Sequence, residues 1–109
     1  MSVEVTARHM NAPAAKQHAR ERAEKLEEMF PRVEHVRVVL DVEKHRCEAE
    51  FIVRAKNHIH IEAGEVNNDS DMIAAIDVAF ERAERQLRKL RDKVQEHRVN
   101  GDEVVEPPV

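Results

Sequence analysis

The chain has 109 residues, 41% of them hydrophobic and 37% charged, and a formal net charge of −4. That length makes one domain, large enough to bury a core without disulfides or metals. With 3% aromatic residues and neither Trp nor Tyr, the composition disfavours recognition by stacking bases on surface rings. Cys47 stands alone, which excludes an internal disulfide and fits a reducing interior. The absence of an apolar run near the roughly 18 residues of a membrane span, and of a signal-peptide core at the N-terminus, predicts a cytoplasmic protein.

Residues 2–8 alternate, with Val3, Val5 and Ala7 on one side, the pattern of a half-buried strand. Asn11 is a candidate helix cap and Pro13 suits a first helical turn. Residues 12–30 then read as a helix with one apolar stripe of Ala15, Ala19, Ala23, Leu26 and Phe30. Pro31 ends it. Residues 33–42 are β-branched and apolar. Residues 46–55 alternate through Cys47, Ala49, Phe51, Val53 and Ala55, and residues 58–66 through Ile59, Ile61 and Ala63. Lys56-Asn57 is a tight hairpin candidate because Asn tolerates positive φ; Glu43-Lys44-His45 is a looser turn. His58 and His60 fall on one side of the last strand.

Gly64 to Ser70 reads as a polar loop, with Asp69 or Ser70 available to cap a second helix over about residues 71–98. Met72, Ile76, Ala79, Phe80, Ala83, Leu87, Leu90 and Val94 mark its buried side. At about 1.5 Å per residue it would be about 40 Å long, longer than the sheet beneath it, so its C-terminal end should project. Gly101 is expected to stop it, leaving residues 99–109 as a short, acidic, flexible tail. The fold class is α+β in the order β-α-β-β-β-α. A right-handed crossover makes the first two strands parallel, and two helices cover one face of a four-stranded mixed sheet. The other face, with Glu4, Glu48, Glu50, Arg54, His58, His60 and Glu62, can meet water.

Charge is unevenly spread. Residues 81–98 hold seven basic side chains (Arg82, Arg85, Arg88, Lys89, Arg91, Lys93, Arg98) against four acids, while the last ten residues hold three acids and no base. Arg82, Arg85, Lys89 and Lys93 recur at three and four residues, which puts them in one row on a helix, broadened by Arg88 and Arg91. A row of this kind is an ordinary solvated helix face or a surface for phosphate, and its arginines favour the second because guanidinium forks onto phosphate. In the first helix Lys16, Arg20, Arg22 and Lys25 are matched in number by glutamates. His18, Arg22 and Lys25 share a side, which Arg8 and His9 could extend. Seven histidines invite a metal reading, but a pair such as His58 and His60 does not make a closed site. Cys47 falls on a core position. Asp71 and Asp77 look like acids placed to suit the start of a helix. With no nucleophile motif and no Gly-rich phosphate loop, neither an enzyme nor a cofactor is expected.

Val-Thr-Ala-Arg-His (5–9), Arg-Ala-Glu-Lys-Leu (22–26) with Phe30, and Asp-Met-Ile-Ala-Ala-Ile-Asp (71–77) running into Arg-Ala-Glu-Arg-Gln-Leu-Arg-Lys (82–89) carry a resemblance. The chain resembles the bacterial ribosome hibernation promoting factors and ribosome-associated translation inhibitors over about residues 2–98, in its short form. The resemblance implies a double-stranded-RNA-binding-like fold. It also implies docking on the small ribosomal subunit between head and body, where mRNA and tRNA would lie, and inhibition of translation by occlusion in stationary phase or stress. It implies rRNA contacts from Arg22, Lys25, Arg82, Arg85, Lys89, Arg91 and Lys93, and more loosely from Lys16 and Arg88. His18 and Ile73 stand where the family usually has aromatics. The short acidic tail favours the kind that promotes ribosome pairing over the kind that opposes it. The protein is expected to be a monomer off the ribosome. The competing expectation is a protein-interaction module whose projecting basic helix docks an acidic partner.

Overall fold

The computed structural model describes the backbone of residues 2–103 and the side chains of residues 2–92. Alternating apolar residues produce four strands: β1 (Ser2–Arg8), β2 (Val33–Glu43), β3 (Arg46–Ala55) and β4 (Ile59–Asn67). They lie in sequence order in one sheet. β1 pairs with β2 in parallel, Val5 opposite Val38, and the other pairs are antiparallel. Rows such as Val36–Val53–Ile61 and Val38–Phe51–Ala63 therefore cross the sheet on its inner face. A slip of one residue would turn every one of these side chains to water, which fixes the register.

Helices α1 (Pro13–Met29) and α2 (Met72–Glu103) pack on that inner face. Their buried residues are largely alanine (Ala15, Ala19 and Ala23 on α1; Ala75, Ala79 and Ala83 on α2), so the helix backbones can lie close to the strands and to each other. Leu26, Ile76, Phe51 and Phe80 fill the space between. The rings of Phe51 and Phe80 meet edge to face with centroids 6.3 Å apart, a favoured geometry for aromatic pairs. No polar or charged residue is buried as a whole among the described residues; Glu27 Oε2 and Arg37 Nε are buried atoms without a hydrogen-bond partner, a local cost against the gain from apolar burial. No helix is long and apolar enough to cross a membrane among the described residues.

Several local features differ from those the sequence predicts. Ala12, not Asn11, occupies the cap position of α1 and no side chain caps it; Pro13 does stand in the first turn. α2 is capped by Asp71, whose Oδ1 accepts the Ala74 N–H at 3.0 Å. Asp69 and Ser70 do not cap it: Ser70 has φ 57° and donates its N–H to the His45 carbonyl at 3.2 Å. Gly64 lies inside β4 opposite Glu50, so the strand runs on to Asn67 before the loop begins. The tight two-residue turn is Lys44–His45, with Lys44 at φ 59°. The 56–58 turn is the looser one, with Asn57 and His58 both at positive φ, so His58 is not a strand residue.

α2 continues through Gly101 to Glu103, so Gly101 does not stop it and residues 99–103 are helical. The rest of the expected tail, residues 104–109, lies outside the described residues. Among the described side chains, the last of α2 packed against the core is Leu90; the helix backbone runs on for thirteen residues, and Val94, expected on the buried side, has its side chain outside the described residues.

Candidate nucleic-acid interface

Two pairs of contacts fix how the helices sit. His18 and Arg22 of α1 meet Asp77 and Phe80 of α2, and Phe30, at the end of α1, meets Arg91. Both helices therefore run in the same direction, with a groove between them. At the first crossing one carboxylate oxygen, Asp77 Oδ1, accepts from His18 Nε2 at 2.6 Å and from Arg22 Nε at 3.1 Å. The Arg22 guanidinium lies 4.9 Å from the centroid of the Phe80 ring. At the second crossing the Arg91 guanidinium lies 5.5 Å from the Phe30 ring. Each helix thus places an arginine over a phenylalanine associated with the other, an attraction worth about 0.5–1 kcal/mol at exposed sites.

Asp77 is therefore not an acid that serves the start of its helix; it joins the two helices. His18, where the resemblance implied an aromatic, supplies a hydrogen bond instead of a packed ring. Ile73, the other such position, is 39% exposed.

The cations divide by what they touch. Arg82 donates to the Gly64 carbonyl at 2.6 Å and to Glu65 at 2.7 Å, which pins it to β4. Arg88 pairs with Glu84 one turn earlier, whereas Glu81 and Arg85, also one turn apart, form no ion pair among the described residues. Lys16, Lys25, Arg85 and Lys89 are exposed and make no ion pair among the described residues. Arg85 and Lys89, four apart, share the outer face of α2. Arg82 flanks them on the β4 side, while Arg88 and Arg91 face the α1 groove. Lys93 follows Lys89 by one turn, and its side chain lies outside the described residues.

On α1, Arg22 and Lys25 face the groove, whereas Lys16 turns the other way. With Arg20, which the sequence reading left out of the interface, Lys16 lines a cavity of about 260 Å³ beside Val5, Asn11, Pro13 and Gln17. Arg8 and His9 are not brought together with the helix cations. Arg8 alternates with Val3, Val5 and Ala7 and so belongs to the open face of the sheet. His9 Nδ1 bonds Asp41 Oδ1 on that face at 2.9 Å, and this hydrogen bond draws the Asp41 carboxyl below the usual carboxylate range.

The other histidines among the described residues find carboxylates or turns rather than one another. His60 bonds Glu62 at 2.9 Å and His35 lies 3.6 Å from Glu4. Cys47 is buried, and burial pushes its thiol up from the ordinary value. It is a small apolar core residue, not an activated nucleophile.

Residues 3–95 match the family described as Sigma 54 modulation protein / S30EA ribosomal protein. The chain is similar to a protein of Klebsiella oxytoca called ribosome hibernation promoting factor, 32% identical over 101 residues, which are 89% of this chain and 100% of that protein. A protein of the same name from Escherichia coli K12 is 38% identical over 78 residues, 67% of this chain and 74% of its own. Among solved structures, a ribosomal subunit interface protein from Coxiella burnetii superposes with a TM-score of 0.71 at 16% identity, covering 85% of this chain and 100% of that one. The N-terminal domain of Thermus thermophilus Protein Y gives 0.70 at 22% identity, covering 83% and 99%. The two structures share the fold; the match over residues 3–95 shows that this protein belongs to the Sigma 54 modulation protein / S30EA ribosomal protein family.

Proposed function

We infer that the protein is a ribosome-binding hibernation factor that silences translation without making or breaking a bond. Its helix layer meets rRNA phosphates of the small subunit and occupies the channel that mRNA and tRNA would use, under stress or in stationary phase. The observation that carries this reading is the exposed pair Arg85 and Lys89, which no acid neutralises among the described residues. It stands in a chain whose relatives are named ribosome hibernation promoting factors. Phosphate binding needs cations free to exchange water and counterions for phosphate oxygens. Arg22, Lys25, Arg88 and Arg91 along the groove widen the surface, Lys93 extends it along α2, and Lys16 adds a flank. Arg8 and His9, on the open face of the sheet, fall outside it.

A sucrose-gradient profile of ribosomes with and without the protein tests the reading. Co-migration with small subunits, lost when Arg85 and Lys89 are reversed to Glu, is the expected result; an increase in paired ribosomes would add the pairing role. Failure of the wild-type protein to co-migrate at moderate salt would refute the reading. The length of α2 beyond Leu90 favours a second reading, a basic helix docking an acidic protein. A partner that survives nuclease treatment in a pull-down and contains no ribosomal component would select it.

A further inference from the structure

An acid in the middle of a phosphate-binding groove is a liability unless it does something the cations cannot. Asp77 is such an acid, its side chain 38% exposed between α1 and α2. Its carboxylate accepts only, so His18 Nε2 must carry the proton it shares at 2.6 Å. The same oxygen takes Arg22 Nε. Among the described residues Arg22 donates through Nε alone. The Nη1/Nη2 end of the guanidinium, the end that forks onto two oxygens, is left over. The Phe80 ring beneath fixes the plane of the group. An arginine held by one edge and one face has lost most of its rotamer freedom before any ligand arrives. Binding then costs less side-chain ordering, which runs to about 0.5–1.5 kcal/mol for a flexible side chain.

We propose that Asp77 is a positioning residue for RNA: it holds Arg22 by Nε over Phe80 so that the free Nη pair forms a preorganised subsite for one backbone phosphate in the α1–α2 groove. His18 completes the device by donating to the same oxygen, which helps to compensate the carboxylate. The proposal rests on the rRNA-binding reading above. It also predicts a sign that simple electrostatics reverses. If Asp77 merely repels phosphate, its removal tightens binding. If it positions Arg22, its removal weakens binding although the groove becomes more positive.

The test compares wild type, Asp77→Ala, Arg22→Lys and the double variant, each confirmed folded by thermal melting, titrated with purified small subunits and with single-stranded hexauridylate. Arg22→Lys keeps the charge, leaves Asp77 and His18 in place and removes the fork, so it serves where Asp77→Ala alone would disturb the fold. Each single variant should lose affinity by roughly tenfold, the worth of one hydrogen bond to a charged group. The double variant should be no weaker than the singles. In the free protein, the Arg22 Nε–H resonance should be sharp in wild type and lost to solvent exchange in Asp77→Ala.

Tighter or unchanged binding by Asp77→Ala overturns the proposal, as do losses that add in the double variant, or an Nε–H signal indifferent to Asp77. If wild type binds hexauridylate but not subunits, the ribosomal reading fails, and the same four-variant pattern on hexauridylate still supports the subsite. Binding to neither overturns both.

Discussion

Replacing Arg85 and Lys89 together by alanine separates the proposed binding surface from the fold. Both side chains are exposed and engage no acid among the described residues, so stability should move by no more than about 0.5 kcal/mol. Each phosphate contact contributes between about 0.7 and about 0.9 to the slope of log affinity against log salt. Losing two should flatten that slope by about 1.4–1.8. Over a fourfold rise in potassium at fixed magnesium, the double variant should therefore shed about 7–12-fold less affinity than wild type. The assay is a fluorescence titration of labelled protein with small subunits at several salt concentrations. Arg82→Ala is the contrast. It removes the bonds to the Gly64 carbonyl and Glu65 and should lower stability by about 1 kcal/mol. An unchanged slope for the Arg85/Lys89 variant, with its melting point intact, would refute the claim that this face meets phosphate.

Phe51→Ala should cost about 3–5 kcal/mol in urea unfolding, because the ring is fully buried and packs edge to face on Phe80; a cost below 2 would mean the sheet and helices close over the gap. Asp71→Ala removes the only side-chain acceptor at the start of α2 among the described residues and should cost about 1 kcal/mol, read from the same curves. The Cys47 thiol is raised by burial, with Asp71 a smaller contributor. The neutral thiol's share of stability is full below the ordinary value near about 8.5 and is lost as pH rises through the folded value. Iodoacetamide should therefore alkylate Cys47 slowly at pH 8.5 in the folded protein and quickly in urea, and equal rates would contradict its burial.

What the sequence shows clearly is what local spacing decides. Period-two alternation with one buried face gives the strands, and the alanine stripes give both inner helix faces, apart from Ala75. The helix boundaries were less legible for an identifiable reason. Asp69, Ser70 and Asp71 are all capping types; a bond from distant His45 and the positive φ of Ser70 select Asp71. Gly101 costs a helix only about 1 kcal/mol, too little to serve as a stop by itself. In the interface, spacing shows that Arg85 and Lys89 share a face. It says nothing of which residues on α2 lie opposite α1, so Asp77 could not be matched with His18 and Arg22, more than fifty positions away. Nor could the arginine–phenylalanine stacks be read, since each needs both helices in place.

The net charge of −4 stands against the proposed RNA binding until acids are sorted by position. On the helix layer, three of the described acids near the basic row are engaged, Glu84 by Arg88, Asp77 by Arg22 and His18, and Glu65 by Arg82, whereas Glu81 is exposed and unpaired among the described residues. An engaged acid cancels a neighbouring cation and leaves the outward field to those that remain, here Arg85 and Lys89 on α2 and Lys25 on α1. Glu4, Glu48 and Glu62 stand on the open face of the sheet, in register with Arg37, Asp41 and Ile52. Packed layers are about 10 Å apart, further than the Debye length of about 8 Å at physiological salt, so those carboxylates weigh little on an anion approaching the helices. Net charge therefore misjudges this surface because many of the acids it counts are paired or on the far face. The consequence is directional: adding acids to the open face should barely alter ribosome binding, whereas freeing Glu84 by Arg88→Ala should weaken it, and the same titration measures both.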